Sequence, residues 1–253
     1  MTTETSSQTS TAGIATVHRA DDRASTKISW LDGRHSFSFG THYDPNNVGH
    51  GLLIVSNDDR VAPGGGFGTH HHRDMEIVTW VLDGELEHQD SAGNEGVLYP
   101  GLAQRMSAGN GIYHSEINHS RSLPVHLVQM WVVPDTFDME PSYEQIDVNE
   151  RLGSSGLVAV ASGRGHDGAV TIHQQGAVMW VGRLAAGDTV AIPDAPFVHL
   201  FVARGAIDAT LPQGDTHLVE GDAVRYTAAG AAEITASTDA EVIVWESDAA
   251  ASR

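Results

Sequence analysis

The stretch Gly64-Gly65-Gly66-Phe67-Gly68-Thr69-His70-His71-His72-Arg73-Asp74-Met75-Glu76 decides how this chain reads. Three consecutive histidines follow a glycine-rich turn, and Ile77-Val78-Thr79-Trp80-Val81-Leu82 comes directly after. That β-branched and aromatic run is strand material. Side chains alternate faces along a strand, so His70 and His72 share one face and His71 points away. Two imidazoles on one face make half of a metal site. The other half lies in residues 107–118, where His114 and Glu116 again stand two apart. Together these are three imidazoles and one carboxylate, a mixed N/O set suited to one divalent first-row transition metal. A lone His pair on an exposed strand would be ordinary solvated surface. Two such pairs, each preceded by glycines, make a stronger case. His71 reads as a solvated or supporting residue and not as a ligand.

Around these stretches the pattern is all β. Ile28-Ser29-Trp30-Leu31 and His35-Ser36-Phe37-Ser38-Phe39 read as short strands split by a turn at Asp32-Gly33. Leu52-Leu53-Ile54-Val55 reads as a buried strand closed by Asn57-Asp58-Asp59. The strongest strand signal is Val125 to Val133, ended by Pro134. Many short strands separated by turn residues describe a sandwich or barrel. The chain divides into a disordered polar tail over 1–13, an N-terminal metal-binding domain over 14–148, a linker over 149–163 and a C-terminal domain over 164–248. A weak internal repeat links the halves. Gly101-Leu102-Ala103-Gln104-Arg105-Met106 matches Gly221-Asp222-Ala223-Val224-Arg225-Tyr226, about 120 residues on. Projecting that offset puts Ile234 and Ala236 where His114 and Glu116 stand, so the second half keeps the scaffold without the ligands.

Composition narrows the function. The chain has 253 residues, 40% of them hydrophobic, enough for a sizeable packed core. No apolar run reaches the length that spans a bilayer, and no signal segment begins the chain, so a cytoplasmic protein without a membrane partner is expected. Cysteine is absent, which excludes disulfides and thiolate ligands. With 33 acidic against 14 basic residues the net charge is −19, a surface that repels nucleic acid.

The residues also resemble a known family. Gly64-x5-His70-x-His72-x3-Glu76 is similar to the first motif of the cupin superfamily, and Gly111-x2-His114-x3-Asn118 to its second. Within the cupins, the run from His35 through Tyr43-Asp44-Pro45, together with Leu86-Glu87-His88-Gln89-Asp90-Ser91 and the two metal stretches, resembles the pirin family. The likeness is dense from about Arg19 to Tyr143. It implies a bicupin, two jelly-roll β-barrels packed together, with one metal in the N-terminal barrel held by His70, His72, His114 and Glu116. Glu76 would then be structural. Pirin-like proteins resemble quercetin 2,3-dioxygenases, which cleave a flavonol with O2 and release carbon monoxide. The resemblance therefore implies a flavonol-like aromatic substrate, with Glu116 as the general base. For the metal, Fe2+ is taken first, with Ni2+, Cu2+, Mn2+, Co2+ or Zn2+ as alternatives. Trp30, Phe37, Phe39, Phe67, Tyr113 and Trp131 could wall an apolar mouth. Two other readings stand beside this one: a metal-binding regulatory protein acting through protein–protein contacts, and a closed structural Zn2+ site.

Overall fold

A computed structural model describes residues 13–153, 156–228 and 230–251. The tail expected over 1–13 lies almost wholly outside the described residues. The chain is all β, as its alternating pattern requires, apart from a single short α-helix at Asn149–Leu152 and one 3-10 turn among the described residues. In the first half a seven-stranded sheet runs, edge to edge, Ser142–Asp147, Leu102–Ser107, Glu76–Asp83, Val125–Val132, Leu53–Val61, Leu31–His35, Ala24–Lys27. Facing it is a four-stranded sheet of Gly66–His72, Ile112–Asn118, Leu86–Asp90 and Glu95–Leu98. The second half repeats this plan. Its larger sheet begins with Ile14–His18, borrowed from the start of the chain and paired with Ala223–Thr227.

The expectation of two closed barrels is not met. Each half is a pair of open sheets, and no sheet's two edge strands pair with each other. The chain crosses between sheets at tight corners that break the hydrogen-bond ladder. Between Glu95–Leu98 and Leu102–Ser107 stands Tyr99-Pro100-Gly101. Pro100 has no N–H to donate, and Gly101 takes φ +90°, so the ladder stops there.

Two turn readings also change. Asp32-Gly33 lies inside the strand Leu31–His35, and the reversal falls earlier, where Ile28 N–H donates to the Leu31 carbonyl. Gly33 is needed for space, because a Cβ there would sit 2.5 Å from Asp59 Oδ1. Likewise Asn57-Asp58-Asp59 does not end a strand but runs through the middle of Leu53–Val61. These polar residues are buried. Asp58 accepts from Arg23 Nη2 at 2.9 Å and pairs with His126 Nε2 at 2.6 Å. Asp58 is held down at about 2: burial opposes ionisation, but the His126 and Arg23 partners outweigh it.

The core has two kinds of interface. Trp80, Val128 and Met130 of the first half meet Phe201, Ile243 and Trp245 of the second. Here the large sheets of the two halves lie against each other, and the buried Trp80 indole donates to Glu241 at 2.6 Å. Inside the first half, Leu31, Val81, Leu86, Leu98 and Leu127 fill the space between its two sheets. Removing Asp58 should be costly, because it leaves Arg23 buried and short of its countercharge. Asp58→Ala is expected to lower stability by about 3–5 kcal/mol. Urea unfolding of the two proteins checks this, and an unchanged midpoint would contradict it.

Candidate metal centre

The glycine-rich approach to His70 is built by close contacts. At Gly66, with φ +156°, a Cβ would collide with the Glu116 carbonyl at 2.3 Å. The strands Gly66–His72 and Ile112–Asn118 can therefore pair closely, with His70 opposite His114 and His72 opposite Ile112. The register shifts between His114 and Glu116, which pair with His70 and Phe67.

The pairing brings His70, His72 and His114 together. Their ring centroids are 4.4 to 4.9 Å apart, and one nitrogen from each lies within 4.8 Å of the others. His71 is exposed on the other face and packs against Tyr113, as the alternation requires. Glu116 falls in a second, overlapping group with His114 and His88, not with His70 and His72. Its Oε2 accepts from Gln129 Nε2 at 2.7 Å, and its Oε1 lies 3.4 Å from Thr79 Oγ1. Trp131 Nε1 in turn donates to Gln129 Oε1 at 3.1 Å, which orients that amide. Glu76 stands apart, buried, accepting from Ser107 Oγ at 2.8 Å and from the His173 backbone N–H at 3.0 Å. It ties the larger sheet of the first half to the second half.

The donors fit a metal ion. His70 Nδ1 lies 2.8 Å from the Gly68 carbonyl and donates to it, which leaves the Nε2 lone pair free. That Nε2 faces His114 Nε2 at 3.0 Å. Two nitrogens at about 2.1 Å from one ion, at right angles, would be about 3.0 Å apart. His72 Nε2 is buried with no hydrogen-bond partner among the described residues, an arrangement that costs stability unless something accepts that lone pair. Burial, then the neighbouring His114 and His70, brings the His72 pKa down to about 4. Burial, then His70 and His88, brings His114 down to about 3. Both imidazoles are thus neutral, as ligands must be.

Those shifts have a sign. In the metal-free protein His72 and His114 are neutral when folded, whereas in the unfolded chain they protonate near the ordinary histidine value of 6.5. The unfolded state binds more protons between pH 6.5 and about 4, so stability falls as pH drops through that window. Denaturant midpoints of the metal-free protein at pH 7.5 and pH 5 should show the lower value at pH 5. Equal midpoints would contradict these neutral imidazoles.

Beside Thr79 and Gln129, two further residues near the site carry no clear mark in the sequence. His88 is fully buried, stacks on Tyr143 at 5.0 Å and sits 5.4 Å from His114. Its signal was the pair His88-x-Asp90 on the strand Leu86–Asp90, which pairs with Ile112–Asn118. Asp59 is the other. Burial first, then Asp58 and Glu116, pushes its carboxyl up to about 8. Of the aromatic candidates, Phe39 and Trp131 line a cavity of about 680 Å³ with Met75, Ile54, Val133 and Phe197. Trp131 also meets His72 edge-on at 4.8 Å, so one indole separates this cavity from the histidines. Phe37 is core, and Trp30 packs on Phe67. Tyr113 is exposed on His71.

Paired all-β halves, of which only the first bears a histidine triad among the described residues, define a metal-binding protein of the pirin type. The family profile described as Pirin matches residues 17–132, and that of the quercetinase C-terminal cupin domain matches residues 159–246. A Mycobacterium tuberculosis protein provisionally assigned as a quercetin 2,3-dioxygenase is 57% identical over 91% of this chain and 93% of its own length. The quercetin 2,3-dioxygenase of Escherichia coli K12 is 44% identical over 62% of this chain and 67% of its own. The crystal structure of the bacterial pirin YhhW from Escherichia coli in complex with nickel(II) superposes with a TM-score of 0.85 at 34% identity. It covers 94% of this chain and 100% of the other. The chain belongs to the pirin family, and it binds a divalent metal ion. No helix among the described residues is long and apolar enough to cross a membrane.

Proposed function

We propose that this protein is a metal-dependent dioxygenase that cleaves quercetin or a related flavonol with O2. The observation that carries the reading is the convergence of three imidazoles beside an apolar cavity of about 680 Å³ walled by Phe39 and Trp131. That size and lining suit a flat aromatic substrate with a few polar groups. His70, His72 and His114 would hold the metal with Glu116 as the oxygen ligand, and Fe2+ is the ion favoured for O2 chemistry. When bound, such an ion supplies Lewis acidity and open coordination positions. The remaining work falls to the chain. Trp131 and Phe39 place the aromatic rings and exclude water. Glu116 accepts the proton of the substrate hydroxyl at Oε1, the oxygen less firmly held, while Gln129 keeps Oε2 in place. Residues 14–148 would carry this chemistry, and residues 164–248 would act as scaffold.

The second half supports that division. Val190 pairs with Ile234 where the first half pairs His70 with His114, and neither aliphatic side chain can ligate. The experiment is to load the protein anaerobically with Fe2+, add quercetin, and admit air. Quercetin absorbance should decay with matched O2 uptake, and neither should change in the metal-free protein. Metal-independent decay would contradict the proposal.

A further inference from the structure

A second polar cluster lies away from the histidines, where the chain crosses from one half to the other. Ile14–His18 belongs to the larger sheet of the second half, and Ala24–Lys27 to that of the first. Between them the segment around the 3-10 turn Ala20–Asp22 closes over a cavity of about 60 Å³. Its walls include Arg23, Arg225, His18, His35, Ser36 and Asn47. A single water needs only about 10–15 Å³ on this scale, so the cavity has room for something several times larger.

The charges on these walls are unevenly matched. Arg19 pairs with Asp222 at 2.7 Å, and Arg23 Nη2 pairs with Asp58 at 2.9 Å. The Arg23 side chain is only 5% exposed, yet its Nε and Nη1 are buried without a partner among the described residues. Arg225 gives Nη1 to Asn47 Oδ1 and Nη2 to the Ser36 carbonyl, and its guanidinium lies 4.3 Å over the Phe37 ring. Its Nε is left unpartnered, as is Ser36 Oγ. Among the described residues no carboxylate lies within ion-pair reach of Arg225. Burial brings its pKa down to about 10, the signature of a cation lacking its countercharge. His18, also on the wall, is brought down to about 4 by burial and then by Arg225, so it adds no charge of its own at neutral pH. The one carboxylate on the wall, Asp22, is exposed.

Three unpartnered donor nitrogens on these two guanidiniums and one hydroxyl stand against a single ion pair of theirs among the described residues, Arg23 with Asp58, so donors are in excess on these walls. Arginine offers only donors, and its planar fork matches the oxygens of a tetrahedral anion. We propose that this cavity between Arg23 and Arg225 binds a free tetrahedral oxyanion of the sulfate or phosphate class, and that the anion fastens the two halves together. The segment Arg19–Arg23 and the strand Ala223–Thr227 would be joined through it.

Sulfate is the probe, since it is a weak ligand for transition metals. The metal-loaded protein is heated in 0–20 mM sodium sulfate, with sodium gluconate holding ionic strength constant. A saturable rise in Tm of roughly 3 °C is expected once sulfate exceeds ten times its Kd. Arg225→Gln should lose the saturable rise and keep only the shallow linear one that sulfate gives any protein. Equal saturable rises in both proteins, or none in either, would overturn the proposal. Should Arg225→Gln not fold, crystals of the unaltered protein soaked in selenate decide the matter. An anomalous selenium peak between Arg23 and Arg225 is expected, and its absence would overturn the site.

Discussion

Replacing His70 and His114 together by alanine should empty the metal site. Elemental analysis of the unaltered protein is expected to give roughly one divalent metal per chain, and the double variant close to none. The two Nε2 atoms 3.0 Å apart are the closest donor pair at the centre. With both gone, His72 and the Glu116 carboxylate remain, on strands no longer linked through a shared ion. The single variants should bind weakly and lose metal on dialysis. The change should not unfold the chain, because His70 is only half-buried and the large sheets pack elsewhere. Far-ultraviolet circular dichroism should therefore be unchanged. Undiminished metal content in the double variant would move the site away from these histidines.

The second large effect concerns the base. Glu116→Gln keeps an oxygen of nearly the same size, and that oxygen can still accept from Gln129 Nε2. It removes the proton acceptor. Metal should be largely retained by the three imidazoles, while flavonol turnover falls by about 10²-fold or more. The comparison of kcat with metal content is what separates the roles. A variant that loses both in proportion shows Glu116 acting as ligand only. One that keeps both shows that the proton goes elsewhere.

Much of this centre could be read in the chain because its candidate ligands come in i, i+2 pairs. His70 with His72, and His114 with Glu116, mark one face of a strand whatever the strand pairs with. The glycines mark the approach, since the Glu116 backbone comes so close at position 66 that only glycine fits. What could not be read were side chains that belong to the site only through pairing across sheets. Thr79, Gln129 and His88 look like ordinary strand residues until Val125–Val132 and Leu86–Asp90 take their neighbours. The run Asn57-Asp58-Asp59 resembled a turn because three polar residues seldom cross a buried strand. Here Arg23 and His126, distant in sequence, neutralise Asp58, and Asp59 is held largely protonated. Barrel closure was misjudged for a similar reason. The periodicity of a strand reports which face is buried, and it carries no information on whether sheet edges meet.

The central claim is that this metal centre inserts molecular oxygen into a flavonol. The most direct measurement is a single reaction of the Fe2+-loaded protein with quercetin under 18O2, followed by mass spectrometry of the ring-cleaved product. Both oxygen atoms of one O2 should appear in the product, with carbon monoxide released. An unlabelled product, or no oxygen uptake with quercetin or any other flavonol offered, would contradict it and favour a metal-dependent protein that acts through its partners.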